Sequence, residues 1–439
     1  MSQNPAARFS SERGAVILVA LCFATVLLLC LGSYLTVCYR TLEMSSRSVQ
    51  GARSVELAES GMEEALWALN QNDWNGWSID GTTATKTVSA FTYENGASGS
   101  ISLTITNYDG SGGTRTVTVT GTTQETDGTG QSRTLTSNST QAPLFVNALA
   151  GTTSTVTFQS SGSVDSYNAA DGSYASQTPG YSAILASTAT TSSATVQLVN
   201  AQVQGYVASN YAGGPSYSSE AMLLGPDTPG PTKIDTSRIS TSPYQPVFTI
   251  NFPSGSSTNL SNPLLDSTTT VGTPGATVPT IYRSTGIDMR GTTKIIVDGP
   301  VQWVITGNFY LGLYGGSPSI EVTANGSLEI FAANDIAVYG DGMENASEDP
   351  TRMAIFGTNT LTVPDFSTAQ PYHGVIYTPT GQFTLWGNAT IFGAIVAKKV
   401  TLKGSSPAIH YDLNLRQTVF DGIETPYIVT DWIETTLAD

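Results

Sequence analysis

The sequence has few charged residues and no cysteine outside one apolar segment. Its three cysteines, Cys22, Cys30 and Cys38, all lie in that segment, so the rest of the chain can form no disulfide. Only 12% of the residues are charged and the formal net charge is −16, whereas about 25% of the residues of a typical soluble domain are charged. An acidic chain lacks the basic surface that nucleic acids bind. We therefore expect packed strands to supply the stability, and we expect no nucleic-acid partner.

Histidine and the common catalytic motifs are scarce as well. His373 and His410 are the only histidines, and each stands beside a tyrosine. They lie about two coils of the C-terminal repeat apart, so they could align on one ladder, and a partly buried structural role is the simpler interpretation. There is no Gly-x-Ser-x-Gly elbow, no His-Glu-x-x-His and no phosphate-binding glycine loop. These absences predict a protein that is not an enzyme.

The longest apolar run is the uncharged stretch from Ala15 to Tyr39. As a helix of about 25 residues it would be roughly 37 Å long, enough to cross a bilayer core of about 30 Å. It is longer than the apolar core of a cleaved signal peptide, which spans about 7–15 residues. Basic residues precede it, and such flanks stay on the cytoplasmic side. We predict a cytoplasmic leader over 1–14 and a single transmembrane helix over 15–39 in the inner (cytoplasmic) membrane, with the remainder exported.

The helical pattern continues beyond the apolar run. Apolar residues recur at three- and four-residue steps, which places them on one face of a helix. They are Val55, Ala58, Met62, Ala65, Leu66 and Leu69. We predict an amphipathic helix over 40–75.

Two segments of this region resemble PilX-type minor pilins of type IV pilus systems. The start RGAVILVAL, residues 13–21, is similar to their N-terminus, and LAESGMEEAL, residues 57–66, resembles the helix that follows their membrane segment. The resemblance implies a prepilin-peptidase site between Gly14 and Ala15. It also implies that other pilins or pilus assembly proteins bind through the N-terminal helix. The motif residues that it assigns to this helix are Ala58, Glu59, Ser60, Gly61, Glu63 and Glu64.

One position departs from the major pilins. They carry a glutamate five residues into the mature chain, and the matching residue here is Val19. In that family the carboxylate neutralises the terminal amine of a neighbouring subunit within the membrane. A buried unpaired charge is costly, so the absence of the carboxylate disfavours repeated stacking as a major subunit. The resemblance therefore implies a tip, initiation or assembly component, and a plain anchor without processing stays open.

Residues 85–138 predict a small antiparallel β unit. Its short runs alternate apolar and polar residues, so that Ile101, Leu103 and Ile105 would share one face. We expect a meander of three or four strands that packs on the amphipathic helix. The predicted hairpin turns are Asn95–Gly96, Asp109–Gly110 and Asp127–Gly128.

The segment 144–424 contains a weak repeat. Short apolar strands recur about every 17–25 residues, each closed by glycine or asparagine, which predicts a solenoid and fits a right-handed parallel β-helix best. The repeat places Ile376 over Ile395 and Leu385 over Leu402, one coil apart. This part is also similar to the β-solenoid domain found behind PilX-like N-termini, and that resemblance implies no catalytic residue.

Two stretches depart from the repeat. Residues 211–280 hold many of the prolines, and they predict a long insertion that emerges from the solenoid, with a strand over 247–252. The closing segment 425–439 is rich in apolar and aromatic residues. We predict that it caps the open end of the stack, which would otherwise be a bare sheet edge.

An acidic loop within 335–349 is the one candidate metal site. Asp341, Glu344 and Glu348 offer the hard oxygen ligands that calcium prefers. Their spacing matches neither an EF-hand nor the nonapeptide calcium repeat, so a solvated acidic turn is the simpler interpretation. Calcium is thus the only cofactor considered.

These features predict a mainly β protein with an N-terminal transmembrane helix, a small antiparallel β unit and a right-handed parallel β-helix. The function they favour is that of a non-enzymatic membrane protein of a type IV pilus system, either a minor pilin or an assembly component. Two alternatives stay open. One is a membrane-anchored surface adhesin with an unidentified surface or carbohydrate ligand. The other is a carbohydrate-active enzyme, whose clustered acidic and basic residues would be Asp288, Arg290, Lys294 and Asp298.

Overall fold

A computed structural model describes residues 9–94, 96–109, 114–191, 195–358, 365–368, 370–420, 423 and 425–436. The chain divides into two compact units. The first contains the residues up to Gln141 together with those from Pro426 onward, and the second contains Ala142–Thr425. The prediction of a mainly β chain with one long N-terminal helix is confirmed.

A single helix, α1 (Phe9–Gln71), contains both of the helices predicted from the sequence. Its 63 residues include no proline, so nothing interrupts the backbone hydrogen bonds over roughly 95 Å. The helix ends four residues before the predicted limit of 75, because Asn72 takes a positive φ of 49° and turns the chain. Residues 1–8 of the predicted leader lie outside the described residues.

An antiparallel sheet follows the helix in the first unit. Successive strands pair with their neighbours in the order of the chain, and the face that carries Ile101, Leu103 and Ile105 is buried. Asn95 and Gly110, from two of the predicted turns, lie outside the described residues. The strands are β1 (Ser78–Asp80), β2 (Thr83–Thr92), β3 (Ser98–Thr106), β4 (Arg115–Gln124) and β5 (Gly130–Gln141).

The strands of the second unit pair in parallel, in one sheet of 21 described strands and another of four. They are β6 (Leu149–Gly151), β7 (Val156–Phe158), β8 (Gly162–Tyr167), β9 (Ala183–Ser187), β10 (Val196–Leu198), β11 (Ala201–Ser209), β12 (Ser216–Tyr217), β13 (Met222–Leu224), β14 (Ile239–Ser240), β15 (Ser257–Asn259), β16 (Thr268–Val271), β17 (Thr280–Ser284), β18 (Ile287–Gly291), β19 (Lys294–Val297), β20 (Pro300–Ile305), β21 (Phe309–Gly316), β22 (Ser319–Val322), β23 (Ser327–Ala332), β24 (Ile336–Gly340), β25 (Gly342–Asn345), β26 (Met353–Gly357), β27 (Asp365–Thr368), β28 (Tyr372–Leu385), β29 (Thr390–Leu402) and β30 (Ala408–Asp412).

Equivalent residues lie beside one another in neighbouring strands of this parallel unit. Ile376 pairs with Ile395 and Leu385 pairs with Leu402, so both predicted registers are confirmed. These four side chains are fully buried. Parallel pairing in register places similar side chains beside one another on neighbouring strands. Short strands with few large side chains can therefore build a continuous apolar interior.

The order of strands along the stack differs from their order in the chain. One column runs β15, β17, β20, β23, β26, β28, β29, β6, β9, β11 and β14. The chain thus begins at the middle of the stack with β6 and reaches one end at β14. It then crosses to the other end and returns to the middle at β29.

The crossing is made by residues 241–256, which we call the return strap. It lies along the stack: Asn147 Nδ2 donates to Tyr244 O over 2.7 Å, and Phe248 N donates to the Tyr377 hydroxyl over 2.6 Å. Further on, the rings of Phe252 and Phe331 lie 6.2 Å apart. The predicted insertion emerging from the solenoid over 211–280 is therefore wrong, as is a strand over 247–252. The prolines keep the segment extended without a ladder, and its apolar residues pack on the stack instead.

The predicted cap over 425–439 is also wrong. The last strand, β31 (Tyr427–Thr436), pairs antiparallel with β5 in the sheet of the first unit, from Tyr427 beside Gln141 onward. Residues 437–439 lie outside the described part of the chain. The apolar and aromatic residues that suggested a cap serve a sheet edge equally well, and β5 offered an unpaired edge. The parallel unit is consequently inserted, in the chain, between two neighbouring strands of the first unit.

Candidate functional site

The N-terminal part of α1 presents an apolar surface that no described residue covers. Its large side chains from Val16 to Leu42 are about half to three-quarters exposed, and it is the one described helix long and apolar enough to cross a membrane. The hydroxyls within it are satisfied locally. Those of Thr25, Ser33 and Thr36 each donate to a carbonyl one turn earlier, over 2.8–2.9 Å. Hydroxyls that bond to carbonyls of their own helix suit a medium without water.

The predicted processing residues lie near the start of this helix. Gly14 and Ala15 follow its first residue, Phe9, by five and six positions. Val19 is 52% exposed on the same apolar surface, so the side chain is available to neighbours and carries no charge. Cleavage of the bond between Gly14 and Ala15 stays a prediction.

The C-terminal part of α1 packs on the antiparallel sheet, and the motif residues divide into two groups there. Ala58 and Gly61 are buried against the sheet, whereas Glu59, Ser60 and Glu63 are exposed. A Cβ atom at Gly61 would lie 2.5 Å from Val119 Cγ1, so a larger residue would push the helix away. The motif therefore combines a contact surface with a free polar surface.

Two further contacts fix this seam between helix and sheet. Glu64 Oε1 lies 2.6 Å from Lys86 Nζ of β2, in a partly buried ion pair. Gly121 of β4 passes directly under the helix backbone: a Cβ there would collide with the Ser54 carbonyl oxygen and lie 2.7 Å from Ala58 N. The sequence motif did not indicate Gly121, because its requirement comes from a partner more than 60 positions earlier in the chain.

The two histidines of the parallel unit do lie on one ladder, which the spacing allowed. His373, Phe392 and His410 occupy matching positions of β28, β29 and β30, and Asp165 of β8 is the next residue along. The rings of His373 and Phe392 are stacked 4.3 Å apart, and those of Phe392 and His410 are 4.7 Å apart. We call these three residues the histidine ladder.

Asp165 binds two partners at the end of the ladder. His410 Nδ1 lies 2.8 Å from its Oδ1, and the Tyr174 hydroxyl donates to its Oδ2 over 2.8 Å. The side chains of His410 and Asp165 are 11% and 9% exposed. Burial raises the pKa of the Tyr174 phenol, with the bond to Asp165 acting in the same direction, and burial lowers the pKa of His373. Sequence reasoning missed Asp165 and Tyr174 because they lie more than 230 positions before His410.

A second polar group lies on the neighbouring strands. Asp412 of β30 is fully buried beside Tyr167 of β8, and its Oδ1 accepts hydrogen bonds from Ala169 N and Asn414 N. Within the described part of the chain, Asp412 Oδ2 and the Tyr167 hydroxyl have no partner. Burial raises the pKa of the Asp412 carboxyl. These groups fasten the segment that follows β8 to the strands below it.

The structure gives the predicted calcium site no ligand set. No three His, Cys, Asp or Glu side chains come together as a metal site requires anywhere in the described ranges, and Asp341, Glu344 and Glu348 are among the residues searched. Glu344 lies in β25, whereas Glu348 lies in the following loop at a φ of 55°. The turn after β25 thus lies between Glu344 and Glu348.

The residues considered for a carbohydrate-active enzyme form separate surface contacts. Asp288 and Arg290 bind each other two positions apart on β18, while Lys294 of β19 pairs with Glu321 of β22. Asp298 accepts a hydrogen bond from the Thr323 hydroxyl. The four side chains therefore take part in three separate contacts.

Comparison with known proteins finds a family model that matches part of the parallel unit. A family model described as a domain of unknown function, DUF7305, matches residues 258–418, from β15 to just beyond β30. No curated protein matches the chain. Among solved structures, the competence-associated pilin ComZ from Thermus thermophilus is 10% identical over 89% of this chain and 98% of its own, with a TM-score of 0.22. At that score nothing about this chain follows from the likeness.

Proposed function

We propose that the chain is a membrane-tethered, non-enzymatic component of a type IV pilus system, a PilX-type minor pilin or an assembly component. In this proposal the parallel unit is a right-handed β-helix displayed outside the cytoplasmic membrane. The main support for the proposal is the continuity of α1. One uninterrupted helix joins an exposed apolar part, suited to a membrane, to a part with the PilX-like motif that packs on an antiparallel sheet.

The two parts of α1 support different aspects of the proposal. The apolar part explains the tether and offers a surface to the helices of other pilins. The exposed motif residues Glu59, Ser60 and Glu63 leave a polar surface for a neighbouring subunit. The apolar Val19 supports a minor or initiating role, because no carboxylate is available there to pair with the terminal amine of another subunit.

The proposal of a non-enzymatic role rests on how the chemistry-bearing residues are used. Asp165 and His410 are shielded by Tyr174, whose ring centroid lies 4.0 Å from that of His410. The acidic and basic residues of β18 and β19 pair with their neighbours. These are the contacts of side chains that hold strands and loops together.

The test is the processing of the N-terminus. We expect the mature chain to begin at Ala15, and Gly14→Val to leave the leader attached, because prepilin peptidases of the family implied by the resemblance require the small residue. Ser11→Val, which adds the same side chain three positions earlier, should be processed normally. Mass spectrometry of the N-terminal peptide distinguishes the two variants. The proposal would be contradicted if both variants were processed, or if neither were.

A further inference from the structure

A cavity of about 270 Å³ opens on the parallel unit where β14 leads into the return strap. Its lining includes Ile184 of β9, Tyr206 and Ala208 of β11, Ser240 of β14, and Ser242 and Tyr244 of the strap. We call it the tyrosine cavity. No residue of the histidine ladder or of α1 lines it, whereas Asn147, which binds the backbone of Tyr244, does.

The register of the strands creates the hollow. Ile184 and Tyr206 are paired neighbours that point outward from β9 and β11. Two positions further along β11, the outward residue is the small Ala208, which pairs with Ser240 of β14. The change from large to small side chains leaves a recess, and Tyr244 of the strap completes its lining.

Both tyrosines are held in place and yet remain accessible. Tyr206 is 41% exposed and Tyr244 is 62% exposed. The Arg238 guanidinium lies 4.5 Å from the centre of the Tyr206 ring, and Arg238 itself donates to the carbonyls of Tyr181 and Gly205. The backbone of Tyr244 is fixed by the bond from Asn147. A ring that is positioned in advance, as that of Tyr206 is, loses little freedom when a ligand stacks on it.

The chemistry of the lining selects the ligand. Every described residue that lines the cavity is uncharged, and the neighbouring Arg238 already pairs with Asp235, so little counter-charge is left for a phosphate, a sulfate or a carboxylate. It combines aromatic and aliphatic surface with the hydroxyls of serine and tyrosine. A sugar ring has the matching surfaces, with C–H groups on its faces and hydroxyls around its rim. The volume is slightly below the range of about 300–1,000 Å³ for drug-sized ligands, which suits one sugar ring.

We propose that the tyrosine cavity binds one sugar residue of a neutral polysaccharide, stacked against Tyr206 or Tyr244. The inference does not rest on the proposed pilus role, because it concerns only side chains of the parallel unit. A chain that is processed as a pilin could fail to bind the sugar, and a chain that is not processed could bind it.

The test is calorimetric titration of the 439-residue chain in detergent micelles with cellohexaose, mannohexaose and maltohexaose as probes. We expect at least one of the three to bind at a single site. Tyr206→Ala and Tyr244→Ala should each weaken that binding about tenfold or more, because each removes an aromatic stacking surface. The matched control is Tyr217→Ala, which removes a tyrosine that is 48% exposed and does not line the cavity.

Conservative variants separate loss of the ring from loss of the fold. Tyr206→Phe and Tyr244→Phe keep the ring and should retain most of the affinity, and all variants should keep the thermal midpoint of the parent chain. The proposal is overturned if none of the three oligosaccharides binds at about 10 mM, or if the alanine variants bind as tightly as the parent. Proline-rich peptides also bind grooves lined by aromatic side chains, so a decaproline peptide is titrated as well. The proposal is overturned if this peptide binds the cavity and the oligosaccharides do not.

Discussion

The two units bury their apolar residues in different ways. In the first, one face of α1 from Gln50 onward covers one face of an antiparallel sheet, and strands that follow each other in the chain lie side by side. In the second, parallel strands stack like on like, and the middle of the stack joins β29 to β6, the first strand of that unit. The first unit depends on a single seam between helix and sheet. The second depends on registers that are repeated from strand to strand.

The difference predicts where each unit is vulnerable. The packing of α1 on the sheet should be most sensitive to substitution where the two backbones come closest, which is at Gly121. The parallel unit should be most sensitive where a substituted interior side chain no longer resembles its neighbours on the adjacent strands, for example at Ile395. The return strap adds a restraint that the first unit lacks, since Tyr377 holds it by both accepting from Phe248 N and donating to Phe248 O.

The largest effect is expected from Ile395→Asp. Ile395 is fully buried between Ile376 and Leu149 on the neighbouring strands, so the new carboxylate would be buried without a partner. We expect a loss of more than about 4 kcal/mol in the free energy of unfolding. Hydrogen exchange followed by mass spectrometry should show lost protection throughout the parallel unit.

Lys398→Asp is the matched control for that change, because Lys398 is exposed on the same strand. It should leave exchange in the parallel unit unchanged. Normal protection in Ile395→Asp would place this residue on the surface and contradict the stacked registers.

A smaller effect is expected from Gly121→Ala at the seam. The added methyl group meets the backbone of α1 at Ser54 and Ala58, which cannot move aside as a flexible side chain would. We expect about 1–3 kcal/mol of destabilisation, with faster exchange over residues 50–71 and β3–β5. Gly230→Ala makes the same change where no heavy atom lies within 4 Å and should have no such effect. Equal behaviour of the two variants would mean that α1 does not lie this close to β4.

The smallest effect concerns the histidine ladder and pH. Burial lowers the pKa of His373 in the folded chain below its usual value, so the unfolded chain binds the proton more readily. The stability from this residue is therefore present above the unfolded pKa of about 6.5 and declines as the pH falls through it. His373→Phe keeps the stacking on Phe392 but cannot titrate. Between pH 7.5 and 5.5 the free energy of unfolding should fall less for this variant than for the parent chain, by a difference of under about 1 kcal/mol. The same change in free energy for both proteins would contradict this prediction.

The features that could be predicted are those with a local pattern. The helical face of Ala58, Met62, Ala65 and Leu69 is buried as its spacing indicated. The paired strands of β28 and β29 repeat closely enough that their register could be read directly. In both cases the residues that decide the structure lie within about 20 positions of one another.

The features that could not be predicted depend on distant partners. The apolar and aromatic residues of β31 suit a strand but do not say which edge it joins, and β5 lies almost 300 positions earlier. The return strap has apolar residues at strand-like spacing, yet it packs along the stack and its residues form no ladder. Asp165 and His410 are 245 positions apart, and neither has a neighbour in sequence that indicates the other.

The proposal that α1 tethers a type IV pilus component depends on how the N-terminus of the native chain is processed. The measurement is mass spectrometry of the chain recovered from sheared surface pili and from membranes of the organism that encodes it. We expect peptides beginning at Ala15 in both fractions, and an intact leader in cells that lack the prepilin peptidase. A chain that retains residues 1–14 in cells with active peptidase, and that is absent from the pilus fraction, would contradict the account.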